Sequence, residues 1–318
     1  MILVTGGAGF IGSNLVKSLS DSGYDVSVVD HLGSDDKWKN LRDCKVWKFW
    51  QPDEIMRAVT AVPTAVFHLG AISSTTAIDA DSVMKNNFTL SCNLWEWCAQ
   101  HNIPFIYASS AATYGDGSQG FDDTLDLATL KPLNLYGWSK HLFDQKVQTC
   151  ASRGLPQPPQ WAGLKFFNVY GPREAHKGSM ASVCFNQYLG VKRGLNPRLF
   201  KSTDPLIRDG EQKRDFVWIG DCVRVMRWLL DHPEQSGLFN VGSGQAESFN
   251  NVAESLLKHL GLPPTIDYID MPLELQNKYQ NFTQANITKL RSAGYAEPMC
   301  DVSHGVAQYV EWLEENSA

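Results

Sequence analysis

The segment Thr5-Gly6-Gly7-Ala8-Gly9-Phe10-Ile11-Gly12 restricts this chain more than any other. It follows the apolar run Ile2-Leu3-Val4 and precedes Ile11, Leu15, Val16 and Leu19, which recur at helical spacing. A strand that enters a helix through Gly6, Gly9 and Gly12 turns sharply and lets a ligand come close to its backbone. The amides that open such a helix have no intrahelical partner and attract phosphate. The spacing is a variant of the dinucleotide fingerprint, and Asp30 ends the next apolar run, Val26–Asp30. An acid there suits a ribose 2′-hydroxyl and hence NAD. Lys37 and Lys39 follow and would suit a 2′-phosphate, or simply form a solvated loop. These residues alone leave NAD and NADP open.

Short apolar runs then alternate with helical patterns. Strands are expected at Val46–Phe49, Ala65–His68, Phe105–Ser109 and Leu164–Phe167, with helices around Val83–Gln100 and Asn134–Cys150. This order predicts an α/β fold, a Rossmann-like doubly wound parallel sheet. After Tyr170-Gly171-Pro172 the segments become irregular, broken by Gly178, Gly194, Pro197, Pro205 and Gly210. Arg214–Ile219 and Leu238–Val241 read as strands flanking a helix over Asp221–Leu230. Ser248 reads as the cap of a helix running to Leu260, and Val302–Leu313 as a closing helix. Residues 1–168 are expected to form a dinucleotide-binding domain to which 214–243 return. Residues 169–318 would mainly form a smaller substrate-binding lobe.

Within the Asn134–Cys150 helix, Tyr136 and Lys140 lie four positions apart and share a face. A phenol beside an ammonium loses its proton more easily than its usual pKa of ~10 allows. Such a phenolate suits the removal of a hydroxyl proton from a sugar while hydride leaves the same carbon. Composition narrows the alternatives. The net charge of −6 comes without a basic stripe, which argues against nucleic acid as a partner. No apolar run approaches the ~20 residues of a membrane span. Met1 leads directly into the first strand, so no signal peptide and a cytoplasmic location are expected. The seven cysteines form no C-x-x-C pair and the eight histidines are dispersed, so no metal site is expected.

Gly6/Gly9/Gly12, Ser109-Ser110 and Tyr136/Lys140 together resemble the extended short-chain dehydrogenase/reductase family across essentially the whole chain. The resemblance implies a catalytic triad in which Ser110 holds the substrate oxygen, Tyr136 exchanges its proton and Lys140 also anchors the nicotinamide ribose. Longer runs resemble the ADP-heptose 6-epimerases of that family. These are Phe166-Phe167-Asn168-Val169-Tyr170-Gly171-Pro172-Arg173-Glu174, then His176-Lys177-Gly178-Ser179-Met180-Ala181-Ser182-Val183, Lys213–Val217, Ala246–Phe249 and Tyr279–Ala285. Such enzymes invert C6 of the heptose in ADP-heptose, a precursor of the lipopolysaccharide inner core.

The closer resemblance tilts the cofactor toward NADP through Lys37, with NAD the alternative. It makes Lys177 a second catalytic acid/base, a role that a desolvated lysine can fill, or else a diphosphate ligand. It implies cofactor contacts from Phe10, Ile11, His31, Leu69, Gly70, Ala71, Ile72, Ser73, Asn86 and His176, besides the glycines, Asp30 and Lys140. On the substrate side it implies Asn168, Ser179, Asn186, Phe200, Arg214 and Tyr279. Arg214 would clamp the diphosphate with paired bonds. A homo-oligomer is also implied, a pentamer among its forms.

Some positions depart from the pattern. His31 stands where a relative carries Asn, Pro52 where a cofactor-contacting lysine occurs, and Asn186 where a substrate-side histidine occurs. Thr203–Gln212 holds residues that shorter relatives lack. Related sugar-nucleotide dehydratases need an Asp-Glu pair after the serine strand, and here Ala111 and Ala112 have no proton to give. A UDP-hexose 4-epimerase would use the same triad, and a non-catalytic nucleotide sensor the same fold. The alternatives to heptose epimerisation are these two.

Overall fold

The apolar runs of the first half become strands, all but the edge strand at Val46–Trp50 largely buried. Ile2–Thr5 (β1), Val26–Val29 (β2), Val46–Trp50 (β3), Ala65–His68 (β4), Phe105–Ser110 (β5) and Trp161–Phe166 (β6) pair in parallel. Every residue of β1, β2, β4 and β6 is buried, as a parallel sheet sandwiched between helices requires. This computed structural model describes residues 1–272 and 280–316. Beyond β6 come the short strands Asn168–Tyr170 (β7), Arg198–Phe200 (β8), Lys213–Arg214 (β9) and Phe216–Trp218 (β10). Gly237–Val241 (β11) then rejoins the main sheet beside β6, giving seven strands in the order β11-β6-β5-β4-β1-β2-β3. Glu247–Ser248 (β12) and Asp267–Ile269 (β13) complete three small pairs, β7 with β10, β9 with β12 and β8 with β13.

The helices are Phe10–Asp21 (α1), Ile55–Thr60 (α2), Ala80–Met84 (α3), Leu90–His101 (α4), Leu135–Ser152 (α5) and Val183–Lys192 (α6). Ile219–Asp231 (α7), Phe249–His259 (α8), Thr288–Ser292 (α9) and Val302–Asn316 (α10) follow. None among the described residues is long and apolar enough to cross a membrane.

Strand order reverses between β1 and β4, and the loops leaving these two strands open a crevice at their carboxyl ends. The loops touch at Gly6 and Gly70. A Cβ on Gly6 would lie 2.6 Å from the Gly70 nitrogen, and Gly6 has φ +68°, so both space and backbone require glycine. A buried chain of hydrogen bonds ties this point down. The Gly70 amide donates to Thr5 Oγ1 (3.2 Å), which bonds His68 Nδ1 (2.7 Å), whose Nε2 bonds Ser91 Oγ (2.8 Å).

Two elements differ from the sequence reading. The helix expected around Val83–Gln100 is interrupted by a π-helical turn over Lys85–Thr89. This turn buries Asn87, whose amide pairs with both backbone groups of Ile72 (2.8 and 2.9 Å) and donates to Ser139 Oγ (3.0 Å). The strand expected over Arg214–Ile219 is broken at Asp215. Its buried carboxylate accepts the amides of Ser243, Gly244 and Ala285, and the two halves pair with different partners.

Candidate active site

At the crevice, α1 begins without a side-chain cap. Its N-cap is Gly9, so the first-turn amides are presented to whatever lies above them. A Cβ on Gly12 would lie 2.1 Å from the Gly6 carbonyl oxygen, so the helix can begin this close to the turn only with glycine there. This uncapped, glycine-rich cradle fits a dinucleotide diphosphate.

The cradle forms one end of a cavity of about 570 Å³. The cavity is lined by Gly6, Gly9, Phe10, Ile11, Gly12, Asp30, Lys37, Leu69, Gly70, Ala71, Ser73 and His176, and also by Ser110, Tyr136, Lys140 and Lys177. Four chemical groups from the end of β5, from α5 and from the loop after β7 therefore share one space with the glycine turn. Asp35, Ser74, Ala108, Phe166, Phe167, Val169 and Met180 also line it and were not given a site role from sequence, nor was Ser109, which was noted only beside Ser110. Phe166, Phe167, Val169 and Met180 belong to the runs that carried the resemblance, which was their only signal.

Ser110 ends β5 and caps the turn that follows, its Oγ accepting the Ala112 amide (3.1 Å). The same hydroxyl bonds the Tyr136 phenol, so its local role and its place in the site coexist. Asn134 caps α5 by accepting the Gly137 amide (2.8 Å), which fixes where Tyr136 and Lys140 project. The acidity expected of Tyr136 is reversed in this chain. Burial pushes the phenol up, the Ser110 hydroxyl opposes that rise, and Lys140 directs its ammonium to the Ala108 carbonyl (2.8 Å). Burial also lowers Lys140 to about 8, with Asp144 opposing.

Lys177 stands with its ammonium 5.4 Å from the Phe10 ring centre, and burial lowers it from the usual lysine range while Glu174 opposes. His176 is lowered chiefly by burial, then by Lys37 and Lys177. Asp30 and Lys37, which sequence offered as competing contacts, are bonded to each other: Nζ lies 2.7 Å from Oδ1. The other Asp30 oxygen accepts the Ala8 amide (2.8 Å), so the acid also holds the glycine turn.

Other expected residues stand outside the cavity wall. His31 is exposed, its carbonyl accepting from Lys37 (2.8 Å). Ile72 is held by Asn87. Asn86 turns back to the Ser82 carbonyl (2.8 Å), because the π-turn directs its neighbour Asn87 inward instead. Asn168 and Ser179 are exposed, and Asn186 donates to the Ala181 carbonyl (3.0 Å). Phe200 lies on β8, paired opposite Ile269. Arg214 is buried, with its guanidinium 5.7 Å from the Phe249 ring centre and a bond to the Lys213 carbonyl (3.0 Å). Tyr279 lies outside the described residues. Among the described residues no group of three His, Cys, Asp or Glu side chains could hold a metal ion.

Comparison with known proteins agrees with this geometry. The model of the NAD dependent epimerase/dehydratase family matches residues 2–242. An ADP-L-glycero-D-manno-heptose-6-epimerase of Nitratidesulfovibrio vulgaris is 46% identical, with 98% of this chain and 97% of the relative covered. The crystal structure of a Helicobacter pylori ADP-L-glycero-D-manno-heptose-6-epimerase superposes with a TM-score of 0.81 at 31% identity, over 98% of this chain and 96% of that one. A Thermotoga maritima UDP-glucose 4-epimerase gives the same TM-score, 0.81, at 27% identity over 100% and 99% of the two chains. Backbone shape therefore does not distinguish the two sugars, whereas sequence likeness favours the heptose enzymes. The protein is an enzyme that uses a nicotinamide cofactor, and the chain belongs to the NAD dependent epimerase/dehydratase family, in the branch of its ADP-L-glycero-D-manno-heptose-6-epimerase relatives.

Proposed function

We propose that the protein interconverts ADP-D-glycero- and ADP-L-glycero-D-manno-heptose by oxidation at C6 and re-reduction on the opposite face. The observation that carries this reading is that Tyr136 and Lys177, from separate elements, line the same cavity as the glycine turn. An epimerase of this kind must handle a proton on either side of one planar carbon. A nicotinamide dinucleotide held on the Gly6/Gly9/Gly12 turn would supply hydride exchange at C6. Tyr136, whose phenol must first ionise against its burial, takes the hydroxyl proton, with Ser110 holding the oxygen. Lys177, lowered by burial, gives a proton to the ketone oxygen as hydride returns on the other face, which completes the new alcohol. Ala111 and Ala112 offer no acid for expelling a hydroxyl, which supports epimerisation over dehydration.

We read the cofactor as NADP. Lys37 neutralises Asp30, which removes the net charge that would repel a 2′-phosphate there. Residues 1–168 with 214–243 would hold this cofactor, and 169–318 would mainly hold the sugar. Asn168, Ser179, Asn186, Phe200, Arg214 and Tyr279 would reach the sugar nucleotide, and a homo-oligomer is the expected assembly.

The purified protein should equilibrate the two C6 epimers of ADP-heptose without added cofactor. Tyr136→Phe should slow this by about 10²–10⁴, the usual worth of a positioned acid/base. Activity on a UDP-hexose with none on ADP-heptose would overturn the substrate. Mass analysis of the nucleotide released on denaturation should show NADP, and NAD alone would overturn the cofactor.

A further inference from the structure

The loop joining β7 to α6 crosses back over the glycine turn, and three anchors hold it there. Arg173 is the first. It has φ +73°, a left-handed backbone that an L residue rarely adopts and that the surrounding contacts must hold. Its guanidinium forks onto Asp43, with Nη1 to Oδ1 at 2.9 Å and Nη2 to Oδ2 at 2.7 Å, and it also donates to the Asn40 carbonyl. Asn40 is the second anchor. Its buried amide donates to the Ala8 carbonyl inside the glycine turn (2.9 Å) and lies 3.0 Å from His176 Nδ1. Asn14 of α1 is the third, donating to the Pro172 carbonyl (2.9 Å). At the base of the loop, buried Glu174 accepts the amide and hydroxyl of Ser182, which opens α6. The loop that carries Lys177 is thus fastened to the segment 36–44 on one side and to the glycine turn on the other.

We propose that Arg173 and Asn40 are positioning residues that latch this loop across the dinucleotide site. The nucleotide leaves only after the Arg173–Asp43 fork opens, and Lys177 keeps its place over Phe10 only while the fork is closed. The catalytic half of this inference rests on the epimerase reading, in which hydride returns within each turnover and the nucleotide has no need to leave. The retention half does not.

The test is the rate at which NADPH leaves the loaded protein during a chase with excess NADP, followed by nicotinamide fluorescence and with no sugar present. Asp43→Asn removes a half-exposed partner and leaves the core untouched. It should speed release about fivefold, the effect of losing roughly 1 kcal/mol. Arg173→Lys keeps the charge without the fork and should fall between that variant and wild type. Arg173→Gly decides between a latch and a merely structural role. Glycine adopts this φ without strain, so a structural role predicts wild-type release, whereas the latch predicts release at least as fast as in Asp43→Asn. Wild-type release rates in Asp43→Asn and Arg173→Gly would overturn the latch. Fast release in both, with no turnover of ADP-heptose by the wild type, would retain the latch and overturn only the epimerase reading.

Discussion

Lys165 of β6 and Asp144 of α5 form a 2.7 Å ion pair with neither side chain exposed, just behind the serine strand. The same carboxylate accepts the Tyr107 and Ser109 hydroxyls (2.8 and 2.7 Å). Lys165 also donates to Thr113, whose hydroxyl donates to the Ser110 carbonyl (2.7 and 2.8 Å). Asp144→Asn would leave an uncompensated buried ammonium. It should destabilise the protein by about 3–5 kcal/mol in denaturant unfolding. A loss below ~1 kcal/mol would mean that the pair is dispensable.

Lys140 carries a stability cost of its own. Its folded pKa of about 8 lies below the ordinary 10.5, so the unfolded chain binds more protons between those values and stability rises with pH across that window. Below pH 8 the penalty is present in full. Lys140→Met should therefore gain on the order of 1–3 kcal/mol at pH 7 in the cofactor-free protein while losing turnover. The gain should shrink toward pH 10.5. Equal destabilisation at both pH values would contradict this.

Gly12→Ala should abolish dinucleotide retention, because its Cβ would strike the Gly6 carbonyl oxygen. Equilibrium binding should weaken by at least about tenfold, or ~1.4 kcal/mol. Gly190→Ala is the control, since a Cβ there meets nothing within 4 Å. Equal affinities in the two variants would remove the case for the cradle.

His68 sets an acid limit. Burial, reinforced by Lys140, lowers it to about 3 from an ordinary 6.5. Its contribution is intact above pH 6.5 and is lost as pH falls toward 3, at about 1.4 kcal/mol per pH unit. Unfolding free energies measured from pH 7 to pH 4 should fall more steeply for the wild type than for His68→Gln. Parallel slopes would sink the assignment.

The glycine turn, the parallel strands and the Tyr136/Lys140 helix were legible because each depends on local spacing. The π-turn was not, since nothing in Val83–Gln100 marks an extra residue per turn, and so the inward amide belongs to Asn87 rather than Asn86. The break at Asp215 was hidden for a similar reason. Its partners Ser243, Gly244 and Ala285 are distant in sequence, and only the fold brings them to one carboxylate. The Tyr136 shift was misjudged because helical spacing gives proximity and says nothing of how deeply a phenol is buried or where the lysine points. Asn168, Ser179, Asn186, Phe200 and Arg214 do not line the cavity, and they lie where the chain is built largely from short irregular pieces.

The bond between Lys37 and Asp30 also limits how this chain can be redesigned. Removing either partner alone leaves a bare charge at this end of the cavity, and removing Asp30 additionally deprives the Ala8 amide of its acceptor. A change of cofactor preference is therefore a coupled problem. Single substitutions here would sit in a fitness valley, and only the paired replacement, with a new acceptor for Ala8, would cross it.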